Sequence, residues 1–167
     1  MGNKAADIQE MLVRYLKDTH AMEKNVSHML DGMINTTEDP AIRADLEHHK
    51  EETKRHEASI RERIEAHGES ISTLREMPAV LGALGKGIID QARPEKPGKN
   101  ARDGFVTEHL EIAAYELLER VAQKAGDTET VRVARENRAD EEAMAKKIAA
   151  TWDKVVDLTL QERGIRV

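Results

Sequence analysis

The chain has no cysteine, so it can build neither a disulfide framework nor a thiolate site. Phe, Trp and Tyr together make up only 2% of its 167 residues, which argues against a sheet protein. No apolar run approaches the length that spans a bilayer, and the N-terminus has no signal-peptide h-region. No membrane partner is expected, and a cytoplasmic location is the default. A large charge of one sign is also missing. The net charge is −6, with 26 basic and 32 acidic residues interspersed. That balance argues against nucleic acid as the main partner.

Charged residues form 35% of the chain and hydrophobic residues 39%. This is the composition of long, solvated, amphipathic helices, and the length suits one domain with a real core. The first apolar stripe runs through Ile8, Leu12, Leu16, Met22, Val26, Met29, Leu30 and Met33, spaced as one helical face. The stretch NTTEDP stops that helix, and Asp39 with Pro40 opens the next. The second helix ends near Gly68, a suitable C′ residue. Residues 69–100 read as a crossover carrying a shorter helix from about Ser72 to Gln91, then a loop, ARPEKPGKNARDG. A third helix is expected from about Ala101 to Gly126, and a fourth from Asp127 or Thr128 to about Leu160, followed by a short tail. Two long-helix hairpins, 5–67 and 101–160, joined by one long crossover make an all-α, ferritin-like antiparallel four-helix bundle.

The inward faces turn polar in their middles. In HLEIAAYELLERVA, preceded by Glu108, both Glu108 and Glu111 fall on the side of Tyr115 and Leu118. The second helix places His49, Glu52 or Thr53, and His56 on its inward line. A buried carboxylate costs several kcal/mol unless something pairs with it. Residues equidistant from a hairpin turn lie at one depth. Glu23 and Glu52 lie 14 and 15 residues from the first turn, and Glu111 and Glu141 lie 16 and 14 from the second. Glu136 is out of register by about 10 Å. His56 follows Glu52 by one turn, and Glu108 precedes Glu111 by three residues. Carboxylates and an imidazole converging at mid-bundle would repel one another without cations. Their donor set suits iron(II) or manganese(II), with zinc also accommodated, and two ions neutralise it best.

The segments LKDTHAMEKNVSHML, EETKRHEASI, EHLEIAAYELL and ADEEAMAKKI, in this order, resemble the YciF-type ferritin-like family of bacterial stress proteins. The resemblance runs over nearly the whole chain, and EHLEIAAY is its most specific piece. It implies a ferritin-like bundle with a fifth helix, a homodimer, and metal positions at Glu23, Glu52, His56, Glu111 and Glu141. This chain departs from the pattern in three places. Glu52 and His56 are spaced i, i+4, Ala145 stands where an acidic residue is expected, and His20 stands where a tyrosine is usual.

Two functions follow as expectations. One is a di-iron or manganese carboxylate protein of stress response, with metal at Glu23, Glu52, His56, Glu108, Glu111 and Glu141, reducing O2 or peroxide as a ferroxidase or peroxide-consuming oxidoreductase. In it, Glu52 and Glu141 would bridge the ions. The other is a non-catalytic stress or interaction protein on the same scaffold, binding one metal or none.

Overall fold

The computed structural model describes residues 3–71 and 94–166, with side chains from residue 7. Helix α1 (Asn3–Thr36) and helix α2 (Pro40–Ala66) form the first hairpin. The last turn of α1 is closed by hydroxyls, Thr36 Oγ1 donating to the Gly32 carbonyl at 2.9 Å and Thr37 Oγ1 to that of Met33 at 2.7 Å. Asp39 caps α2 as expected, accepting from the backbone N–H groups of Ala41 and Ile42 at 3.1 and 2.9 Å. Gly68, just past its end, has φ 75°.

Helix α3 (Lys96–Ala125) and helix α4 (Thr128–Ala149) form the second hairpin, and a short helix α5 (Trp152–Glu162) follows. Gly126 takes φ 75° at the turn. Asp127 accepts from the Thr130 backbone N–H at 3.0 Å, from Arg63 Nη2 at 3.0 Å and from His67 Nε2 at 2.8 Å. It thereby caps α4 and ties the end of α2 to the second turn. Although burial would raise its pKa, these hydrogen bonds hold the Asp127 carboxyl well below the usual carboxylate range.

Two sequence expectations need correction. KPGKNARDG is the first part of α3 and not a loop. Pro97 sits in the first turn, where its missing N–H is harmless. The glycines lie within the helix and do not turn the chain. A Cβ on Gly98 would lie 3.1 Å from Thr159 Oγ1 of α5, and one on Gly104 would meet Ile148 Cδ1 of α4 at 3.4 Å. The fourth helix also does not run unbroken to Leu160. It stops at Ala149, where the Thr151 hydroxyl donates to the Ile148 carbonyl at 2.8 Å and competes with the helical ladder. The chain then re-aims, so that Val155 is buried while Trp152 is 37% exposed. The shorter helix expected over 72–91 lies outside the described residues.

α1 packs on α2 and α3, α4 packs on α3 and α2, and α5 rests on α3. α3 begins beside the end of α1, where Asn100 Nδ2 donates to Thr36 Oγ1 at 3.0 Å. α2 ends beside the α3–α4 turn, through Arg63 and Asp127. The connection between them therefore joins opposite ends of the bundle, the topology of a single long crossover. The core is apolar at both ends. Leu12, Leu16, Ile60, Ile64 and Leu118 fill one, and Leu30, Met33, Leu46 and Ile148 the other. Between them lies a polar layer of buried glutamates and histidines.

Candidate metal centre

Each helix of the bundle delivers side chains to that polar layer because the residues occupy its inward line. α1 gives Glu23, α2 gives His49 and His56, α3 gives Glu108 and Glu111, and α4 gives Glu141, all buried. Their donor atoms gather into two groups. His49, Glu108, Glu111 and Glu141 form one, and Glu23, His56 and Glu141 the other, with the donor atoms of each group within 4.8 Å of one another. Glu141 belongs to both. Its Oε2 lies 3.3 Å from His49 Nε2, and its Oε1 lies 2.8 Å from His56 Nδ1.

These approaches lack hydrogen-bond geometry. Among the described residues, the buried side-chain N and O atoms without a hydrogen-bond partner belong to His20, Glu23, His49, His56, Glu108, Glu111 and Glu141 alone. Native interiors leave few such atoms, because each costs about 1–3 kcal/mol. Six of the seven residues are members of the two groups. Donors that crowd together yet miss one another's lone pairs are arranged around shared points, as ligands to a cation are. The donor set of carboxylates and imidazoles fits iron, manganese or zinc.

The atoms facing away from those points are held. His49 Nδ1 donates to Glu52 Oε2 at 3.1 Å, which leaves Nε2 as the free donor atom. His56 Nε2 donates to Asp140 Oδ2 at 3.1 Å, which leaves Nδ1 facing Glu141. Tyr115, fully buried, donates its hydroxyl to Glu23 Oε1 and accepts from Asn137 Nδ2 at 3.0 Å.

The electrostatics of the metal-free layer are strained. Burial, with the Glu141 charge adding to it, pushes Glu23 up to about 8. Burial carries Glu108 to about 7 against the pull of His49. Burial and the charges of Glu141, Glu23 and Glu108 drive Glu111 well above the carboxylate range. For His49, burial works downward, but the adjoining carboxylates of Glu108 and Glu141 outweigh it and raise the imidazole to about 11. His56 is raised in the same way by Glu141 and Glu23. Glu141 is the exception. Burial would raise it, yet the two imidazoles hold it near 2.

Of the residues singled out in the sequence, Glu23, His56, Glu108, Glu111 and Glu141 come together in the two groups. Glu52 does not. Its carboxylate, 16% exposed, lies between His48 Nε2 at 3.2 Å and His49 Nδ1 at 3.1 Å, and so orients His49 from behind. His49 takes the inward place instead. The signal for this was present in the spacing. The line Leu46, His49, Thr53, His56, Ile60 advances by alternating threes and fours, and Glu52 lies one residue, about 100° of rotation, off it. His20 is buried but in neither group; its Nε2 lies 3.3 Å from Glu57 Oε1. Asp140 acts through His56. Ala145, where an acid was expected, is buried beside Met144 and supplies no donor.

The solved structure of a Xanthomonas campestris pv. campestris protein superposes with a TM-score of 0.79 at 26% identity, covering 95% of this chain and 99% of that one. The Escherichia coli stress protein YciF superposes at 0.74 over 90% of this chain and 97% of its own. In sequence, YciF of strain K12 is 28% identical over 150 residues, 84% of this chain and 87% of the relative. A bacterioferritin of Desulfovibrio desulfuricans, a protein with a diiron site, shares the fold at a TM-score of 0.71 and 22% identity, over 95% of this chain and 87% of that one. The bundle is thus ferritin-like. Among the described residues no helix is long and apolar enough to cross a membrane. A family model described as a domain of unknown function, DUF892, matches residues 7–161, and the chain belongs to that family.

Proposed function

We propose that the two groups hold a pair of divalent metal ions, iron before manganese or zinc, and that the loaded protein reduces O2 or peroxide, with iron(II) itself as electron donor. The observation that carries this reading is the concentration of unpartnered buried donors on four helices, with one Glu141 oxygen turned to each group. Four carboxylates and two neutral imidazoles carry four negative charges, which two divalent ions balance. A bound iron pair would supply the electrons for reduction of the oxidant. The protein's part would be to present one Glu141 oxygen to each group, to hold the imidazoles through Glu52 and Asp140, and to keep water from the layer on the side packed by Leu12, Leu16, Ile60 and Ile64.

The test begins with elemental analysis of protein purified without chelator. Anaerobic Fe(II) titration then precedes exposure to O2 or peroxide, with Glu141→Gln in parallel. Near two ions per chain and a ferric absorption in the parent, both lost in the variant, are expected for the two groups.

A second reading is a scaffold that binds one ion or none and works through its surface. It is favoured by the Glu23, His56 and Glu141 group, which has only three donors, and by α4, which adds no imidazole after Glu141. Uptake of one ion or none, together with no iron-dependent O2 or peroxide consumption, would favour it over the first.

A further inference from the structure

A cavity of about 310 Å³ opens at the end of the bundle where α1 turns into α2 and where α5 lies against α3. Leu30, Met33, Leu46, Met144 and Ile148 line it, and it reaches inward to Glu108. At about 30 Å³ per water it has room for roughly ten waters. That is far more than dioxygen or peroxide needs, and it meets the lower bound of small-molecule sites. The apolar walls offer few partners to a hydrated cation. The charges at the mouth are largely answered. Lys147 pairs with Asp45 at 3.0 Å, Lys154 with Asp39 at 2.8 Å, and Glu162 accepts from the Lys96 backbone N–H at 2.9 Å. One turn before Glu108, the wall is Gly104. A Cβ there would touch Ile148 Cδ1 at 3.4 Å and Met33 Cε at 3.9 Å, so a methyl fits but a longer side chain would fill the space. A glycine at this point of a helix costs about 1 kcal/mol against alanine, and here it leaves the cavity open.

We propose that the cavity binds a small neutral organic molecule, with an apolar body of about ten non-hydrogen atoms, seated with its inner end at Glu108. Occupied in this way, the molecule ends beside Glu108 of the His49 group and would be the organic substrate of a metal held there. Only this last point rests on the function proposed above.

The experiment titrates 1-alkanols, from butanol to dodecanol, into the full metal-free chain and follows the labelled methyl groups of Met33 and Met144 by NMR. Affinity is expected to rise about fourfold per methylene until the cavity is full and then to level off. Gly104→Leu should weaken binding at least tenfold while leaving metal content as in the parent. Leu158→Trp, on α5 at the mouth, gives the same reading should the first variant fold poorly. Shifts that do not saturate, an affinity without a chain-length ceiling, or undiminished binding in both variants would overturn the site. With Mn(II) loaded, the protons at one end of bound 1-octanol should relax much faster than those at the other. Equal relaxation along the chain would overturn the seat at Glu108. Alkanol binding to a chain that takes up no metal would sustain the cavity and refute the metal reading. Metal uptake without alkanol binding would do the reverse.

Discussion

Loading the centre with metal should expel at least about two protons per chain at pH 7. Ligation requires bare carboxylates and neutral imidazoles. In the metal-free protein, His49, raised to about 11, holds its proton. Glu23, at about 8, is mostly protonated, and Glu108, at about 7, is about half so. Glu111, driven up by burial and its neighbours' charges, and His56, raised by Glu141 and Glu23, shift in the direction that adds to this release, while Glu141, near 2, carries no proton. The product of the two binding constants should therefore change at least about a hundredfold per pH unit near neutrality. Calorimetric titration of Mn(II) into metal-free protein, in three buffers of different ionisation enthalpy, gives the proton number from the slope of observed heat against buffer enthalpy. Release of one proton or fewer for two bound ions would refute the assignment of these six residues as joint ligands.

The metal-free fold should be less stable at pH 8 than at pH 5.5. Glu23, Glu108 and Glu111 have folded pKa values above their unfolded ones, so the folded state binds more protons, and stability falls as pH rises through 4.5 and on to about 8. Thermal unfolding at the two values checks this, and a higher Tm at pH 8 would contradict it. Glu52→Gln should leave the metal stoichiometry unchanged and weaken affinity about 10–100-fold, because Glu52 acts only by holding His49; Mn(II) titration of the variant decides. Glu95, ahead of α3, has φ 62° and ψ 41°, a left-handed conformation that costs a non-glycine residue about 1–2 kcal/mol. Glu95→Gly should raise Tm by about 2–4 °C, net of an exposed ion pair to Lys99 that is worth little, and calorimetric scans read the difference.

The bundle was legible because long apolar stripes and their caps are local signals. Asp39 and Pro40, Gly68 and Gly126 sit where the sequence places them. The misread parts depend on partners distant in sequence. Gly98 and Gly104 read as loop formers until Thr159 and Ile148 are known to lie against them. At the end of α4 the Thr151 hydroxyl and backbone N–H both turn back on the Ile148 carbonyl. At the site, hairpin depth brought together the correct layer but could not choose between Glu52 and His49, which differ by about 4.5 Å of rise. The choice belongs to rotation about the helix axis, and there the alternating spacing from Leu46 through His49, Thr53 and His56 already pointed to the histidine.

The same rotation explains why an unsatisfied layer survives in an otherwise well-packed bundle. Each helix needs only one or two turns for its donors, so the apolar residues above and below keep their places. Leu16 and Ile60 seal one side, and Leu30 and Leu46 pack on the other, where they also wall the cavity. Burial of these ends supports the fold, at about 1.5–3 kcal/mol for each large side chain, and sets the low dielectric that makes the middle costly when empty. A carboxylate such as Glu111, with both oxygens unpartnered, opposes folding until a cation arrives. Replacing it with leucine should therefore stabilise the metal-free protein while removing the His49 group as a site, since the interior loses a desolvated acid and gains a packed side chain. Residues selected for stability alone would not be these, which makes the polar layer an argument for metal binding and against a purely structural core.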